Sequence, residues 1–336
     1  MKRIKLMIIG FGTIGKGIAR VLIGKRNFLR RRYNTEIQVS AICERKGSIV
    51  DEGGINLKNA LELAWKGKLK EHRNWTSEKA LKIIREVDAD IVLELTPGNI
   101  KNGEPGLSHI KAALNSGKNV VTSNKAPLAL KFSELNKTAN SNNLHLRYEA
   151  TVGGAIPIIN LYRETLQINE INSIYGILNG TSNFILSKMV EEGIDIDSAL
   201  KEAQEIGIVE RNPDYDIDGI DTASKVVILA NSLMNKEVSF KDVKITGIKG
   251  ITQEAVELAK KHNYVIKLIG DVGMLDVSPR LIHVNHPLNV SGSLNAIMIE
   301  SDIAKNITLI GHGAGPLETS SSLFSDILKI VENIKP

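Results

Sequence analysis

Apolar and polar positions in the first half of the chain follow two alternating patterns. Short, nearly continuous apolar runs predict buried strands, and the stretches between them carry apolar residues at helical spacing. The strands are expected at residues 4–9, 37–42, 91–95, 119–122 and 144–148. The helices are expected at residues 14–29, 57–69, 77–87, 107–115 and 128–140. This alternation predicts an α/β fold with a doubly wound parallel sheet.

The pattern changes after residue 149. Longer helices and fewer, more alternating strands predict an α+β second domain, and a strand at 307–310, a glycine-rich turn and a helix at 317–331 follow. We expect this last helix to pack on the first domain. The sequence therefore predicts a first domain of residues 1–149 completed by the tail 316–336, and a second domain of residues 150–315.

Composition narrows the class of protein. The 336 residues carry a formal charge of +5, 42% are hydrophobic and 24% are charged, which is typical of an ordinary soluble protein and excludes wholesale disorder. No apolar stretch approaches the roughly 18 residues of a membrane span. Basic residues are scattered and aromatics make up 4%, so no nucleic-acid partner is expected; the run 30–32 is interpreted as the solvated end of a helix. The single cysteine, Cys43, favours a reducing compartment, and we expect a cytoplasmic protein.

A glycine motif follows the first predicted strand and opens the first predicted helix. Its residues are Gly10, Phe11, Gly12, Thr13, Ile14 and Gly15. A G-x-G-x-x-G in this context lets the backbone and a helix N-terminus approach a pyrophosphate, which predicts a Rossmann-type dinucleotide-binding domain. The second strand ends near Glu44, which suits the ribose of NAD, but Arg45 and Lys46 suit the 2′-phosphate of NADP. The choice between NAD and NADP stays open.

An acidic segment at residues 210–225 is the second candidate site. Asp214, Asp216, Asp218 and Gly219 match the first half of a calcium loop, but the position that needs a bidentate glutamate holds Lys225, which argues against calcium. Asp221 and Lys225 are four residues apart and share one face of a predicted helix. That pair is either a helix-surface ion pair or a lysine held by a carboxylate where it can give a proton to an alkoxide.

Several segments together resemble the homoserine dehydrogenase family in its short form, without a C-terminal ACT domain and without a fused aspartate kinase. The segments are residues 10–15, 94–97, 120–125, 149–154, 178–186, 210–225 and 311–315. The resemblance implies NAD(P)-dependent interconversion of L-aspartate 4-semialdehyde and L-homoserine (EC 1.1.1.3), in the biosynthesis of threonine, isoleucine and methionine. It also implies a homodimer whose second domain serves catalysis and dimerisation.

The resemblance further implies a role for individual residues. Lys225 is similar to the catalytic lysine, with Asp221 as its partner. The substrate contacts implied are Glu210, Asp216, Thr181 and Lys125. The cofactor contacts implied, besides residues 10–15, are Arg45, Lys58, Thr96, Ser123, Lys125 and Gly315, with Arg45 and Lys58 on the 2′-phosphate. A sodium site is implied at the Glu149 carboxylate and the carbonyls of Val152, Gly154 and Ile156, although a glycine-bent domain crossover explains the same segment.

Three other hypotheses are weaker. His283 and His286 invite a zinc site, but on a strand they would point to opposite faces. A phosphorylating aldehyde dehydrogenase needs a nucleophilic cysteine in the second domain, and Cys43 lies in the first. A dinucleotide sensor without catalysis is possible on the fold alone, but the intact Asp221 and Lys225 argue against it.

Overall fold

The computed structural model describes residues 1–207, 209 and 213–334. The chain divides into two compact units, the first made of residues 1–151 and the chain from 315 onward, and the second of residues 152–314. The boundaries expected from sequence were 149/150 and 315/316. Each unit has its own sheet.

The first unit is built on a seven-stranded sheet. Its strands are β1 (Lys2–Ile9), β2 (Thr35–Glu44), β3 (Gly47–Val50), β4 (Trp75–Thr76), β5 (Ile91–Glu94), β6 (Asn119–Thr122) and β7 (Leu146–Arg147). Its helices before the second unit are α1 (Thr13–Tyr33), α2 (Leu57–Trp65), α3 (Ala80–Glu86), α4 (Gly106–Asn115) and α5 (Lys125–Ser141). The strand order is β4-β3-β2-β1-β5-β6-β7.

Five neighbouring strands of this sheet are parallel, in the order β2-β1-β5-β6-β7. Their apolar runs are buried on both faces, as a parallel sheet between helix layers requires, and Leu6, Ile8 and Leu93 are fully buried. The predicted doubly wound sheet is therefore confirmed. The strand order reverses at β1, so a crevice opens at the carboxyl ends of β1 and β5, where such folds bind ligands.

Two strands of this sheet escaped the sequence analysis. β3 turns back from β2 through a two-residue hairpin and runs antiparallel to it, and β4 pairs antiparallel with β3. Both are short, with four and two residues. This reversal carries the chain back along β2 before α2 begins, and α2 ends at Trp65 rather than at the expected residue 69.

The second unit contains a six-stranded sheet in the order β13-β12-β8-β10-β11-β9. Its strands are β8 (Ile171–Ile177), β9 (Lys244–Ile245), β10 (Tyr264–Asp271), β11 (Asp276–His283), β12 (Leu294–Ser301) and β13 (Lys305–His312). Its helices are α6 (Ile158–Thr165), α7 (Gly180–Glu192), α8 (Ile196–Glu205), α9 (Asp214–Ile217), α10 (Ile220–Leu233) and α11 (Gln253–Lys261). All pairings are antiparallel except β9 with β11, which fits the predicted α+β unit.

The last helix, α12 (Pro316–Asn333), belongs to the first unit. It packs on α1, and Leu323, Ile327 and Ile330 join the apolar core around β1. The Asp326 carboxylate accepts the backbone N–H of Glu149 at 2.8 Å, and the Lys2 ammonium donates to the carbonyl of Ile334 at 2.7 Å. The predicted return of the tail to the first domain is thus what the structure has.

Candidate active site

The glycine turn between β1 and α1 has the geometry that the motif demands. Gly10 adopts φ +97°, and a Cβ there would lie 2.9 Å from the carbonyl oxygen of Leu95. A Cβ at Gly15 would collide with the carbonyl of Gly10, whereas one at Gly12 would meet nothing within 4 Å. The turn is therefore crowded at Gly10 and Gly15 and open at Gly12. It stands at the start of a 21-residue helix, whose first N–H groups can face an anion.

The end of β2 lies directly against this turn. The Glu44 carboxylate accepts the backbone N–H of Phe11 at 3.0 Å, so it fixes the turn as well as standing where an acidic residue contacts a ribose. Arg45 and Lys46 form the hairpin to β3, and both are exposed. The Lys79 ammonium donates to the carbonyl of Arg45 at 3.1 Å, which brings a third cation to the same hairpin.

Lys58 lies elsewhere in the first unit. The backbone N–H of Ile55 donates to the carbonyl of Val39 at 2.9 Å, and Lys58 follows in a surface groove that it lines with Arg3. At a strand rise of about 3.3 Å per residue, the level of Val39 is about 20 Å from Arg45 along β2. The structure does not bring Lys58 and Arg45 together, because β3 carries the chain back toward the amino end of β2 before α2 begins.

Thr96, Ser123 and Lys125 follow the carboxyl ends of β5 and β6. The first of them is held by Glu94, a fully buried carboxylate that accepts both the Thr96 hydroxyl and, at 3.2 Å, its backbone N–H. His109 Nδ1 lies 3.4 Å from the same carboxylate. Thr96, Ser123 and Lys125 thus lie at the edge of the sheet where such folds bind a dinucleotide, and the last predicted cofactor residue, Gly315, precedes α12 with φ +131°.

The second unit holds a buried lysine and its carboxylate partner. Lys225 and Asp221 lie one turn apart on α10, 6% and 7% exposed, and the Lys225 ammonium is 2.8 Å from Asp221 Oδ2. The ammonium also donates to the carbonyl of Leu178, in the turn between β8 and α7. Burial excludes the surface ion pair that spacing alone left open. A buried lysine beside a carboxylate is suited to hold and release a proton.

A second carboxylate lies beside this pair. Gly219, with φ +82°, lets the chain reverse between α9 and α10, so that Asp216 on α9 comes close to Asp221. The side-chain amide of Asn179 donates to Asp216 Oδ1 at 2.7 Å and to Asp221 Oδ2 at 3.0 Å. Thr181 lies in the first turn of α7, two residues from Asn179. The structure thus brings four expected residues into one region of the second unit: Asp216, Thr181, Asp221 and Lys225.

Glu210, expected to contact the substrate, lies outside the described residues. Asn179, Leu178 and Glu94 were not among the expected site residues, although all three occur in segments that carry the family resemblance. Their contacts depend on which strands are neighbours, and no spacing along the chain signals them.

The calcium interpretation is excluded by a lysine. The Lys249 ammonium lies 2.8 Å from Asp214 Oδ1 and 2.9 Å from Asp218 Oδ1, between two of the carboxylates that a calcium loop would need. Hydrogen bonds to these two carboxylates raise the pKa of Lys249, so it remains a cation. A fixed ammonium in this position repels a metal ion.

The four residues expected around sodium are divided between the units. Glu149 is buried in the first unit, and Val152, Gly154 and Ile156 belong to the second. Gly154 has φ +59°, and a side chain there would collide with the backbone of Gly313. The glycine bend therefore has a packing reason of its own, as the alternative explanation of this segment expects.

His283 and His286 serve the backbone of a turn. His283 Nδ1 accepts the N–H of Asn285 at 3.3 Å, and His286 Nδ1 accepts that of Leu288 at 3.1 Å. Within the ranges that the structure describes, no three His, Cys, Asp or Glu residues are grouped so that they could hold a metal ion. None of the helices in this part of the chain is both long and apolar enough to cross a bilayer.

Comparison with known proteins matches both units to one family. Residues 10–149 match the model "Homoserine dehydrogenase, NAD binding domain", and residues 157–328 match the model "Homoserine dehydrogenase". The chain is 49% identical to the homoserine dehydrogenase of Methanocaldococcus jannaschii, covering 98% of this chain and 99% of that one. It is 34% identical to the NAD(+)-dependent homoserine dehydrogenase of Pseudomonas canavaninivorans, covering 98% and 97%.

Solved structures agree. A hyperthermophilic archaeal homoserine dehydrogenase in complex with NADPH superposes with a TM-score of 0.86 at 30% identity, covering 99% of both chains. The homoserine dehydrogenase of Thiobacillus denitrificans superposes with a TM-score of 0.85 at 33% identity, covering 98% of this chain and 73% of that one.

Proposed function

The chain belongs to the homoserine dehydrogenase family, NAD(P)-dependent oxidoreductases of EC 1.1.1.3, and from that premise we propose which residues carry the reaction. The substrates are L-homoserine and L-aspartate 4-semialdehyde. Lys225 is the proton donor and acceptor at the substrate oxygen. The observation that carries this assignment is its burial, at 6% exposure, with Asp221 Oδ2 2.8 Å from the ammonium.

The proton step follows from the surroundings of Lys225. When bound, NAD(P)H supplies the hydride that converts the aldehyde carbon into an alkoxide carbon. The Lys225 ammonium gives a proton to that oxygen, and in the oxidative direction the neutral amine takes the proton back. Asp221 holds the ammonium in place before transfer, and the Leu178 carbonyl fixes the direction of its N–H bonds.

The other carboxylates hold the substrate. Asp216 binds the α-ammonium group, with Glu210 as a second carboxylate proposed from the family resemblance. Thr181 contacts the substrate from the first turn of α7, and Lys125 is proposed as a further contact. The residues 10–15, with Thr96, Ser123, Lys125 and Gly315, hold the dinucleotide, since most of them line the crevice at the carboxyl ends of β1, β5 and β6.

Arg45 recognises the 2′-phosphate of NADP. It is exposed in the hairpin that follows β2, where a guanidinium can form two charge-assisted hydrogen bonds to a phosphate. Lys58 was expected to share this role, and its position in the groove near Val39 does not support it. NAD is the alternative cofactor, because Glu44 stands at the position of the usual ribose contact.

Two further proposals concern assembly and location. We propose a homodimer, since the second unit exposes large apolar side chains on its sheet, including 61% of Leu281 and 54% of Ile310. We propose the cytoplasm because the single cysteine fits a reducing compartment. The sodium site at Glu149, Val152, Gly154 and Ile156 remains a proposal from the family resemblance.

The function is tested by following reduced cofactor when the purified protein meets L-homoserine with NAD or with NADP at alkaline pH. L-Threonine, L-serine and L-malate serve as controls. Reduction selective for homoserine is expected, and the two cofactors are ranked in the same assay. Dinucleotide binding without turnover of homoserine would instead favour a dinucleotide-sensing protein.

A further inference from the structure

Asn179 makes three side-chain hydrogen bonds at the turn between β8 and α7. Its Oδ1 accepts the backbone N–H of Ser182 at 2.8 Å and so caps α7. Its Nδ2 donates to Asp216 Oδ1 at 2.7 Å and to Asp221 Oδ2 at 3.0 Å. The residue is 5% exposed, so water does not readily replace these bonds.

We propose that Asn179 is a positioning residue that holds the substrate-binding carboxylate and the lysine's carboxylate in one fixed arrangement. This inference rests on the proposed function, because Asp216 is taken there to bind the substrate ammonium and Asp221 to hold Lys225. Asn179 itself contacts neither the substrate nor the proton that moves. Its effect on the reaction passes through the two carboxylates.

The chemistry of the side chain explains why an amide is suited to this place. One NH2 group offers two N–H donors, so two carboxylates can be satisfied at once, and neither loses its negative charge. With the two bonds of 2.7 and 3.0 Å meeting at one nitrogen, the carboxylate oxygens can be no more than 2.7 + 3.0 = 5.7 Å apart. Two anions that close repel each other in a buried site unless donors lie between them.

The same turn also fixes the lysine. Leu178 precedes Asn179, and its carbonyl accepts from the Lys225 ammonium, which also contacts the Asp221 oxygen that Asn179 holds. Two consecutive residues therefore set the positions of Lys225, Asp221 and Asp216. A displacement of the Asn179 amide would disturb substrate affinity through Asp216 and proton transfer through Asp221.

The decisive variant is Asn179→Asp, because aspartate caps a helix as well as asparagine but has no N–H to donate when ionised. Above pH 8 we expect kcat/KM for L-homoserine to fall about 100-fold, from the loss of two hydrogen bonds to charged groups and the added repulsion. Three neighbouring carboxylates raise the pKa of one of them. As the pH falls toward 6 that group gains a proton that it can donate, and the deficit relative to the wild type should shrink.

A purely structural role predicts a different result. If Asn179 only caps α7, Asn179→Asp should keep the wild-type kcat/KM, and the ratio of the two enzymes should stay flat from pH 6 to 9; either finding overturns the proposal. Asn179→Ala removes cap and donors together, so its deficit should not depend on pH. Asn56→Asp is the matched control, because Asn56 caps α2 through a 3.2 Å bond from Asn59 and donates to no carboxylate among the described residues.

Two further measurements distinguish the proposed role of Asn179 from a folding defect and from a failure of the proposed function. Asn179→Ser retains a cap oxygen and a single donor, and we expect about a 10-fold loss in kcat/KM from one missing hydrogen bond; full activity would contradict the proposal. If the wild type does not oxidise homoserine, the proposed function fails, and thermal unfolding still tests the contact. Asn179→Asp should then lose thermal stability relative to the wild type as the pH rises. If the melting temperatures of the two proteins change with pH in the same way, the proposed role of Asn179 is wrong.

Discussion

At Lys225 an ammonium group lies almost out of reach of solvent, in contact with the Asp221 carboxylate and the Leu178 carbonyl. Burying an ion pair returns little stability after desolvation, so stability alone does not account for this site and the charge needs a chemical use. The proposed proton transfer is that use. A buried lysine of this chain is therefore a stronger candidate for a chemical role than a lysine exposed on the surface.

Replacing Lys225 with methionine keeps the length of the side chain and removes the ammonium. We expect kcat for homoserine oxidation to fall by at least about 1,000-fold, within the range for loss of a general acid. The dissociation constant of NADPH, measured by fluorescence titration, should change less than about two-fold, since no cofactor contact is assigned to Lys225. Lys188→Met is the control, because the Lys188 ammonium is likewise paired with carboxylates, those of Glu192 and Glu202, but its side chain is 19% exposed and lies outside the proposed site. Parallel losses of turnover and cofactor binding in Lys225→Met would indicate a structural lysine.

Arg45→Ala should weaken NADP(H) at least about 10-fold and leave NAD(H) nearly unchanged, since a charge-assisted hydrogen bond to the 2′-phosphate is lost. Lys58→Ala is expected to affect neither cofactor, because Lys58 lies near Val39 rather than beside Arg45. Calorimetric titration of the two variants with both cofactors decides between the placements. Equal weakening of NADP(H) by both variants would restore the pair implied by the family resemblance.

Lys267 is a second buried lysine, and its titration should be visible in stability. It is 2% exposed, and its ammonium donates to Asn183 Oδ1 and to the carbonyl of Val290, both at 2.8 Å. Burial lowers the pKa of Lys267 to about 8 from an ordinary value of 10.5. Between these two pH values the unfolded chain binds more protons, so this group makes the protein more stable as the pH rises from about 8 to 10.5.

The unfolding free energy of the wild type, relative to that of Lys267→Met, should therefore rise as the pH increases from about 8 to 10.5. The expected rise is up to about 3 kcal/mol, at about 1.4 kcal/mol per pKa unit. Urea unfolding followed by circular dichroism at several pH values measures it. Lys260→Met, at an exposed lysine on α11, should show no such trend. A flat difference for Lys267→Met would mean that the ammonium keeps its ordinary pKa.

At the scale of elements, α12 is an integral part of the first unit. The buried carboxylate of Asp326 ties α12 to the backbone of Glu149, so Asp326→Ala should cost about 1–3 kcal/mol, the usual penalty for an unsatisfied buried donor. Both tryptophans of the chain, Trp65 and Trp75, lie in the first unit, so tryptophan fluorescence during urea unfolding reports on that unit.

The matched control for this prediction is Asp302→Ala. Asp302 accepts the backbone N–H of Glu170 at 2.9 Å, a bond of the same kind in an exposed place in the second unit. The tryptophan transition should not move for this variant. An unchanged transition for Asp326→Ala as well would mean that the core contacts of Leu323 and Ile327 alone hold the helix.

Elements with a strong local pattern were predictable, and those defined by their neighbours were not. β1 and β5 could be located because both faces of a parallel strand are buried and the sequence is apolar throughout. β3 and β4 are too short to show a pattern. Because the chain reverses after Arg45 to form β3, Lys58 lies near Val39 and not beside Arg45 as expected. The Asp221 and Lys225 spacing predicted a shared helix face, but their burial and the bridge through Asn179 come from packing of α10 against the β8–α7 turn.

At the scale of the whole molecule, we expect two copies to associate. Light scattering after size-exclusion chromatography should give about twice the chain mass of 36.8 kDa, that is about 74 kDa. Leu281→Lys and Ile310→Lys should lower the measured mass if these exposed side chains lie in the interface, while Ile168→Lys, at another exposed apolar residue, is the control. A mass of one chain at micromolar concentration would contradict the homodimer.

Helix α12 also fixes the order in which the units can be completed on the ribosome. The second unit is one continuous segment, so all of its residues have been synthesised before residue 316. The first unit has to wait for Leu323 and Ile327 to cover its core, and the 164 residues between positions 151 and 316 take roughly 10 to 30 seconds at about 5–20 residues per second. During that interval an uncovered apolar surface on α1 is open to chaperones and to neighbouring nascent chains. An arrest of translation just before α12 would therefore leave the dinucleotide-binding unit, and not the second unit, prone to aggregation.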